Sequence, residues 1–226
     1  LLFGFLKNCD SFRKLKIRTN ADTPEYAKKA RLFGAEGIGL FRTEHMFYGK
    51  GSEQPLFLLR KMIISKTLDE RRKALDELYP FVKMDIKGTL EAMNGLPVTI
   101  RLLDPPLHEF VPREESQRAE LAQSLGINAE EFNKRADALH ESNPMMGHRG
   151  VRLGITYPEV TEMQIRAILE SAAELVKGGI KVEPEIMIPV VCTVKELIDQ
   201  QALVKKVYEE TLKKYSLKKL DYMYGT

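Results

Sequence analysis

Apolar residues fall along this chain in two rhythms: short near-continuous runs, and longer stretches where they recur at the helical period. Ile17 to Asn20 reads as a strand. Thr23 then caps a helix whose first position is Pro24, Gly34 closes it, and Gly37 to Phe41 forms the next strand. A strand, a helix and a strand over so short a span predict a βαβ unit with parallel strands. Simple alternation puts Ile38, Leu40 and Arg42 on one face, with the arginine at the C-terminal end.

Gln54 to Asn94 is mostly helical, with Leu58, Met62 and Ile63 followed by Leu68, Leu75, Leu78 and Val82 at imperfect helical spacing. Pro97 to Leu103 is a third strand, on which Thr99, Arg101 and Leu103 share a face, and Asp104-Pro105-Pro106 turns the chain out of the sheet. Glu114 to His140 is charged and helical; a turn at Asn143-Pro144 leads into the glycine-punctuated Met145-Met146-Gly147-His148-Arg149-Gly150. Thr161 and Gln164 have the spacing of a capping box, opening a helix with Ile165, Ile168, Leu169, Ala172, Leu175 and Val176 on one face and Gly178-Gly179 at its end. Glu185 to Val191 reads as a strand buried on both faces, Thr193 and Glu196 cap a further helix, and Tyr222 to Thr226 begins another strand.

This alternation, with candidate ligand-directed residues at strand ends, predicts a (β/α)8 barrel-type α/β domain over residues 1–226. Helical insertions are expected near residues 52–95 and 113–142. The barrel is expected to be incomplete, with about six of the usual eight strands, so the chain reads as a fragment exposing two unpaired sheet edges.

Composition sets bounds. A chain of 226 residues with 43% hydrophobic content can bury one large core. Lys and Arg number 35 against 32 Asp and Glu, giving a formal charge of +3, and the basic residues are scattered, so no nucleic-acid partner is implied. The two cysteines, Cys9 and Cys192, are far apart and lack metal-ligand spacing, which suits a reducing intracellular setting, cytoplasmic or within an organelle. Leu1 to Leu6 lacks the flanks of a signal peptide, and Arg60 and Lys61 interrupt the run Leu56 to Ile64, so no membrane partner is expected.

The candidate chemistry lies in Arg42 and Arg101, each ending an apolar run just before a polar, turn-rich tail. Two such forks can clamp a phosphate or carboxylate, each charge-assisted hydrogen bond contributing roughly 1.5–3 kcal/mol. The plainer reading makes them structural ion-pair partners of Glu44 and Asp104. Arg18 and Asn20 share a strand face that can point at a ligand, and His148 and Arg149 sit in a turn able to reach the barrel mouth or brace a loop. His45 and His108 read as supporting or surface residues, His140 as a helix-surface residue, and Cys192 as a buried structural thiol. Gly34, Gly37 and Gly39 precede a strand and lack the GxGxxG order of a dinucleotide loop.

Gly34 to Phe47 (GAEGIGLFRTEHMF) closely resembles the signature of phosphoenolpyruvate-utilising enzymes. Thr99 to Phe110 (TIRLLDPPLHEF) and Asn143 to Gly154 (NPMMGHRGVRLG) look like the pyruvate phosphate dikinase branch of that family, whose relatives usually place a tryptophan where His148 stands; this chain has no tryptophan. The resemblance runs from about Leu15 to Thr226. It implies a barrel that binds pyruvate or phosphoenolpyruvate and exchanges a phosphoryl group with a phosphohistidine on a swivelling domain. The overall reaction interconverts ATP, phosphate and pyruvate with AMP, diphosphate and phosphoenolpyruvate.

By the same resemblance, Arg42 and Arg101 match the two substrate-binding arginines, and Asp104 orients Arg101 or a metal-bound water. The Mg2+ ligands, the proton-donating cysteine, the phosphohistidine and the ATP/AMP-binding domain all fall outside these residues, so no catalytic or metal-binding residue is expected within the chain. The chain alone is therefore expected to be inactive, and the full-length protein to be a homodimer. Alternatives are a truncated, non-catalytic phosphoenolpyruvate-binding module, and a phosphoenolpyruvate synthase or enzyme I-type phosphotransferase.

Overall fold

Parallel strands cannot be joined by hairpins, so each must be followed by a crossover, and the chain obeys this throughout. The computed structural model describes residues 2–49 and 51–226; Leu1, the first residue of the apolar start, lies outside them. Among the described residues, β1 (Thr19–Asn20), β2 (Ile38–Arg42), β3 (Pro97–Arg101), β4 (Glu183–Met187) and β5 (Met223–Gly225) lie side by side in chain order, every neighbouring pair parallel. A strand overlaps each segment read from the sequence, but β1 leaves out Ile17 and Arg18, so Arg18 does not share a strand face with Asn20, and the count among the described residues is five, not about six.

The crossover from β1 is α2 (Pro24–Leu32), capped by the Thr23 hydroxyl, which accepts the Tyr26 amide. Between β2 and β3 run α3 (Glu53–Ile64) and α4 (Leu68–Ala92), the latter opened by a Thr67/Glu70 capping box. Between β3 and β4 lie α5 (Glu115–Ser124), α6 (Ala129–Asp137), α7 (Gly150–Thr156) and α8 (Pro158–Lys177). From β4 the chain returns through α9 (Val194–Tyr215), whose Thr193/Glu196 capping box forms as expected. The charged stretch from Glu114 to His140 is thus two helices, separated where Gly126 adopts a positive φ of 66°. An N-terminal helix, α1 (Leu2–Asp10), buries none of its residues.

Helices α2, α4, α8 and α9 form a layer, each packed on the next. Ile165, Ile168, Leu169 and Ala172 of α8 are fully buried, and replacing such an isoleucine by alanine typically costs about 2–5 kcal/mol. Against this layer the sheet presents Ile38, Phe41, Val98, Ile100, Pro184 and Ile186. The opposite face carries the half-buried Thr99, Arg101, Glu185 and Met187. Sequential strand order with no reversal, and one apolar face only, define an incomplete (β/α) barrel and exclude a doubly wound sheet, which is covered on both faces. β4 therefore alternates between buried and half-buried positions, and it starts and ends earlier than the expected Glu185 to Val191.

The helix ends depart from expectation at one informative place. Thr161 and Gln164 do not cap α8, because Pro158 already occupies its first position and both residues lie inside the helix, buried. Pro158 supplies the fixed φ that a first helical position favours, and Gln164 is thereby freed for another task.

Candidate functional site at the strand ends

The C-terminal edges of β2 and β3 place Arg42 and Arg101 side by side, as Cα partners in the parallel ladder, so both side chains leave the same face of the sheet. This arrangement needs an irregularity. Ile38 pairs with Val98 and Phe41 with Ile100, so β2 uses one residue more than β3 over the same interval. The extra residue resets the alternation: Ile38 and Phe41 are both fully buried against the helices, and Ile38 does not share a face with Leu40 and Arg42 in simple alternation.

Each guanidinium has its own carboxylate. Asp22, just past β1, accepts the Arg42 backbone amide at 2.8 Å and its Nη2 at 2.7 Å, and its Oδ2 lies 3.1 Å from His45 Nδ1. Burial pushes the Asp22 carboxyl up, but the Arg42 side-chain and backbone hydrogen bonds outweigh it and hold the group below the usual carboxylate range. The hydrogen bond with Asp22 in turn raises the Arg42 guanidinium. Arg101 donates Nη2 to Glu44 and places Nη1 3.0 Å from Asp104 Oδ2. The same Asp104 oxygen lies 3.0 Å from Arg149 Nη2.

Both arginines are thus ion-paired as the plainer reading has it, except that Arg42 takes Asp22, and Glu44 goes to Arg101. Asp104 contacts Arg101 and Arg149 together. The rim so formed sets three guanidiniums against three carboxylates, with Glu44 and Asp104 only 5% and 6% exposed. Among the described residues, Arg101 Nε and Glu44 Oε2 are buried without a hydrogen-bond partner, leaving one donor and one acceptor unspent within the cluster. Chemically, the arrangement can fix the planes of three cations around a small polyanion without reorganising as charge develops.

Two further elements brace the rim. Gln164, from inside α8, accepts the Leu103 amide at 2.8 Å and contacts the Thr43 hydroxyl at 3.3 Å, so one buried amide holds the chain just after both strands. Gly150 lets α7 begin hard against the loop after β4: its φ is +55°, and a Cβ there would sit 2.8 Å from the Pro189 carbonyl oxygen. That contact delivers Arg149, the residue before it, to Asp104.

The remaining sequence candidates separate. Arg18 is on the sheet's open face, but its Nη1 and Nη2 go to Glu185 at 2.6 and 3.0 Å, and Thr99 also donates to Glu185. Asn20 is exposed at the end of β1. His148 packs edge-on to Tyr157, its buried Nε2 without a partner among the described residues, while the neighbouring Arg149 reaches the rim. His140 is exposed, and its ring lies 5.7 Å from that of the half-buried His108. Cys192 is exposed, not buried, because β4 ends at Met187 and leaves it in the loop before α9, where Arg152 Nη2 lies 3.8 Å from its sulfur. Asp22 and Gln164 escape sequence reasoning: one is an acid before a helix cap, and the other looks like a cap itself.

Among the described residues no three His, Cys, Asp or Glu side chains gather to hold a metal ion, and no helix is long and apolar enough to cross a membrane. A family model described as PEP-utilising enzyme, PEP-binding domain, matches residues 4–226. The chain belongs to the PEP-utilising enzymes. It is 50% identical over 218 residues to the pyruvate, phosphate dikinase of Clostridium symbiosum, covering 96% of this chain and 24% of that protein. It is 50% identical to the Entamoeba histolytica pyruvate, phosphate dikinase over 233 residues, covering 99% of this chain and 26% of the relative. The chloroplastic pyruvate, phosphate dikinase of Mesembryanthemum crystallinum is 48% identical, with 98% and 23% covered. The chain therefore spans about a quarter of the length of these relatives.

Proposed function

We propose that the chain is the phosphoenolpyruvate- and pyruvate-binding part of a pyruvate, phosphate dikinase. The observation that carries this reading is the register pairing of Arg42 with Arg101 at the C-terminal edge of the sheet. The active end of a barrel is that edge, where loops from several strands converge. Arg42 and Arg101 hold the phosphoryl oxygens as the P–O bond of phosphoenolpyruvate breaks and a P–N bond forms on a histidine of a swivelling domain elsewhere in the full-length protein. Arg149, tied to Arg101 through Asp104, adds a third guanidinium to the same rim. The enolate left behind takes a proton from a group outside this chain to give pyruvate.

A divalent metal such as Mg2+ would supply charge neutralisation when bound, and since no set of described residues gathers to hold it, its ligands would come from other parts of the protein. ATP and AMP belong to a further domain, and the full-length protein is a homodimer in this reading. Turnover by the 226-residue chain alone is not expected.

The test is an assay of the full-length protein with AMP, diphosphate and phosphoenolpyruvate, reading ATP and pyruvate formation. Arg42→Lys and Arg101→Lys, which keep the charge but lose the planar fork, are expected to lower kcat/KM by about 100-fold or more. Absence of ATP formation by the unaltered protein overturns the reading.

A further inference from the structure

We propose that Asp22 is a positioning residue for the phosphoryl-transfer step, acting through Arg42; the inference rests on the functional reading above. β1 ends at Asn20, so the Arg42 amide, at the last position of the longer β2, has run past its neighbouring strand. Asp22 takes the place of that strand. Its Oδ1 accepts the Arg42 backbone N–H at 2.8 Å and lies 3.4 Å from Nε, and its Oδ2 accepts Nη2 at 2.7 Å.

One carboxylate thus grips both ends of a single long side chain, fixing where the arginine leaves the sheet and how its guanidinium plane is turned. Arg101 is held differently, by Glu44 and Asp104 acting from separate segments. Arg42 has no second carboxylate among its hydrogen-bond partners in the described residues, so its orientation depends on Asp22.

The Asp22 side chain is only 12% exposed, whereas Arg42 remains 33% exposed and so can still meet a ligand. The third contact of Asp22, His45 Nδ1 at 3.1 Å, anchors the turn that follows β2.

A guanidinium released from this grip keeps its charge and can still find a bound anion. What it loses is the fixed aim at charge that develops during transfer, a deficit that appears in kcat rather than in KM. A merely structural aspartate behaves otherwise: its removal reduces the amount of folded protein and leaves turnover per folded site alone.

The experiment uses the full-length protein, with kcat and KM for phosphoenolpyruvate measured per folded active site and folding followed by circular dichroism. Asp22→Ala is expected to lower kcat about tenfold or more while KM changes by less than about threefold, and Asp22→Glu to recover part of the loss. In an Arg42→Lys background, Asp22→Ala is expected to cost less than about twofold, because the residue it acts through is already altered. Should Asp22→Ala not fold, Asp22→Asn carries the same comparison, since its amide oxygen still accepts the Arg42 N–H while its NH2 group opposes Nη2.

An equal loss in both backgrounds, or a loss under about twofold in the unaltered background, overturns the proposal. Turnover by the unaltered protein alongside an unaffected Asp22→Ala variant defeats this inference alone. No turnover by the unaltered protein defeats the functional reading and this inference with it.

Discussion

The side-chain oxygen of Gln164 accepts the backbone amide of Leu103 at 2.8 Å, inside the protein and far from either residue's sequence neighbours. With Thr43 on the same oxygen at 3.3 Å, α8 holds the two loops that carry the site. Gln164→Leu keeps the volume but strands a buried N–H, so the expected loss of stability is about 1–3 kcal/mol. Thermal unfolding of the full-length protein checks this, and an unchanged midpoint counts against the brace.

Asp104 stands between Arg101 and Arg149, with its Oδ2 3.0 Å from each. Removing its charge leaves two guanidiniums facing each other across a mostly buried gap. Asp104→Ala is therefore expected to weaken phosphoenolpyruvate binding by about tenfold, since the cations move apart and lose their common spacing. Calorimetric titration of the full-length protein gives the answer, and unaltered affinity would show that Asp104 does not set the spacing.

The helical layer has its own acid-sensitive joint. Burial raises the Glu174 carboxyl, but hydrogen bonds from Lys83 at 2.6 Å, Lys87 at 2.8 Å and Tyr215 at 2.8 Å outweigh it and hold the group down at about 2. A carboxylate depressed in the folded state binds fewer protons than it does unfolded. Its contribution is therefore complete above the ordinary glutamate range and is lost as pH falls from there towards about 2. Because the group is partly solvated, the loss is on the order of 1 kcal/mol. Hydrogen-exchange protection of α4, α8 and α9, corrected for intrinsic rates, is expected to fall across that window, and Glu174→Gln to flatten the fall.

β1 and β5 have strand partners on one side only among the described residues. Expressed by itself, the 226-residue chain presents two parallel-strand edges with free backbone donors and acceptors, and association is the expected outcome. Light scattering across the micromolar range tests this; a monodisperse monomer that unfolds cooperatively would contradict it.

Local chemistry made much of this architecture legible. Thr23-Pro24 and Thr193 with Glu196 announce helix starts because capping is a matter of neighbours in the chain. The arginines at the ends of β2 and β3 are visible for the same reason, as each closes its own apolar run. Thr161 and Gln164 misled because the same spacing serves a helix interior when a proline has already begun the helix. The face assignment of Ile38 failed because a register irregularity between two strands leaves no mark in either strand alone.

By itself, then, the order of residues determined the succession of strands and helices, that the strands are parallel, and that an arginine ends each of β2 and β3, because these follow from periodicity, caps and short-range turns. Only the tertiary structure decided that Asp22 holds Arg42, that Glu44 and Asp104 hold Arg101, and that Gln164 fastens the rim. Those partners come from separate elements, and a hydrogen bond depends on distance and angle in space, which spacing along the chain does not encode.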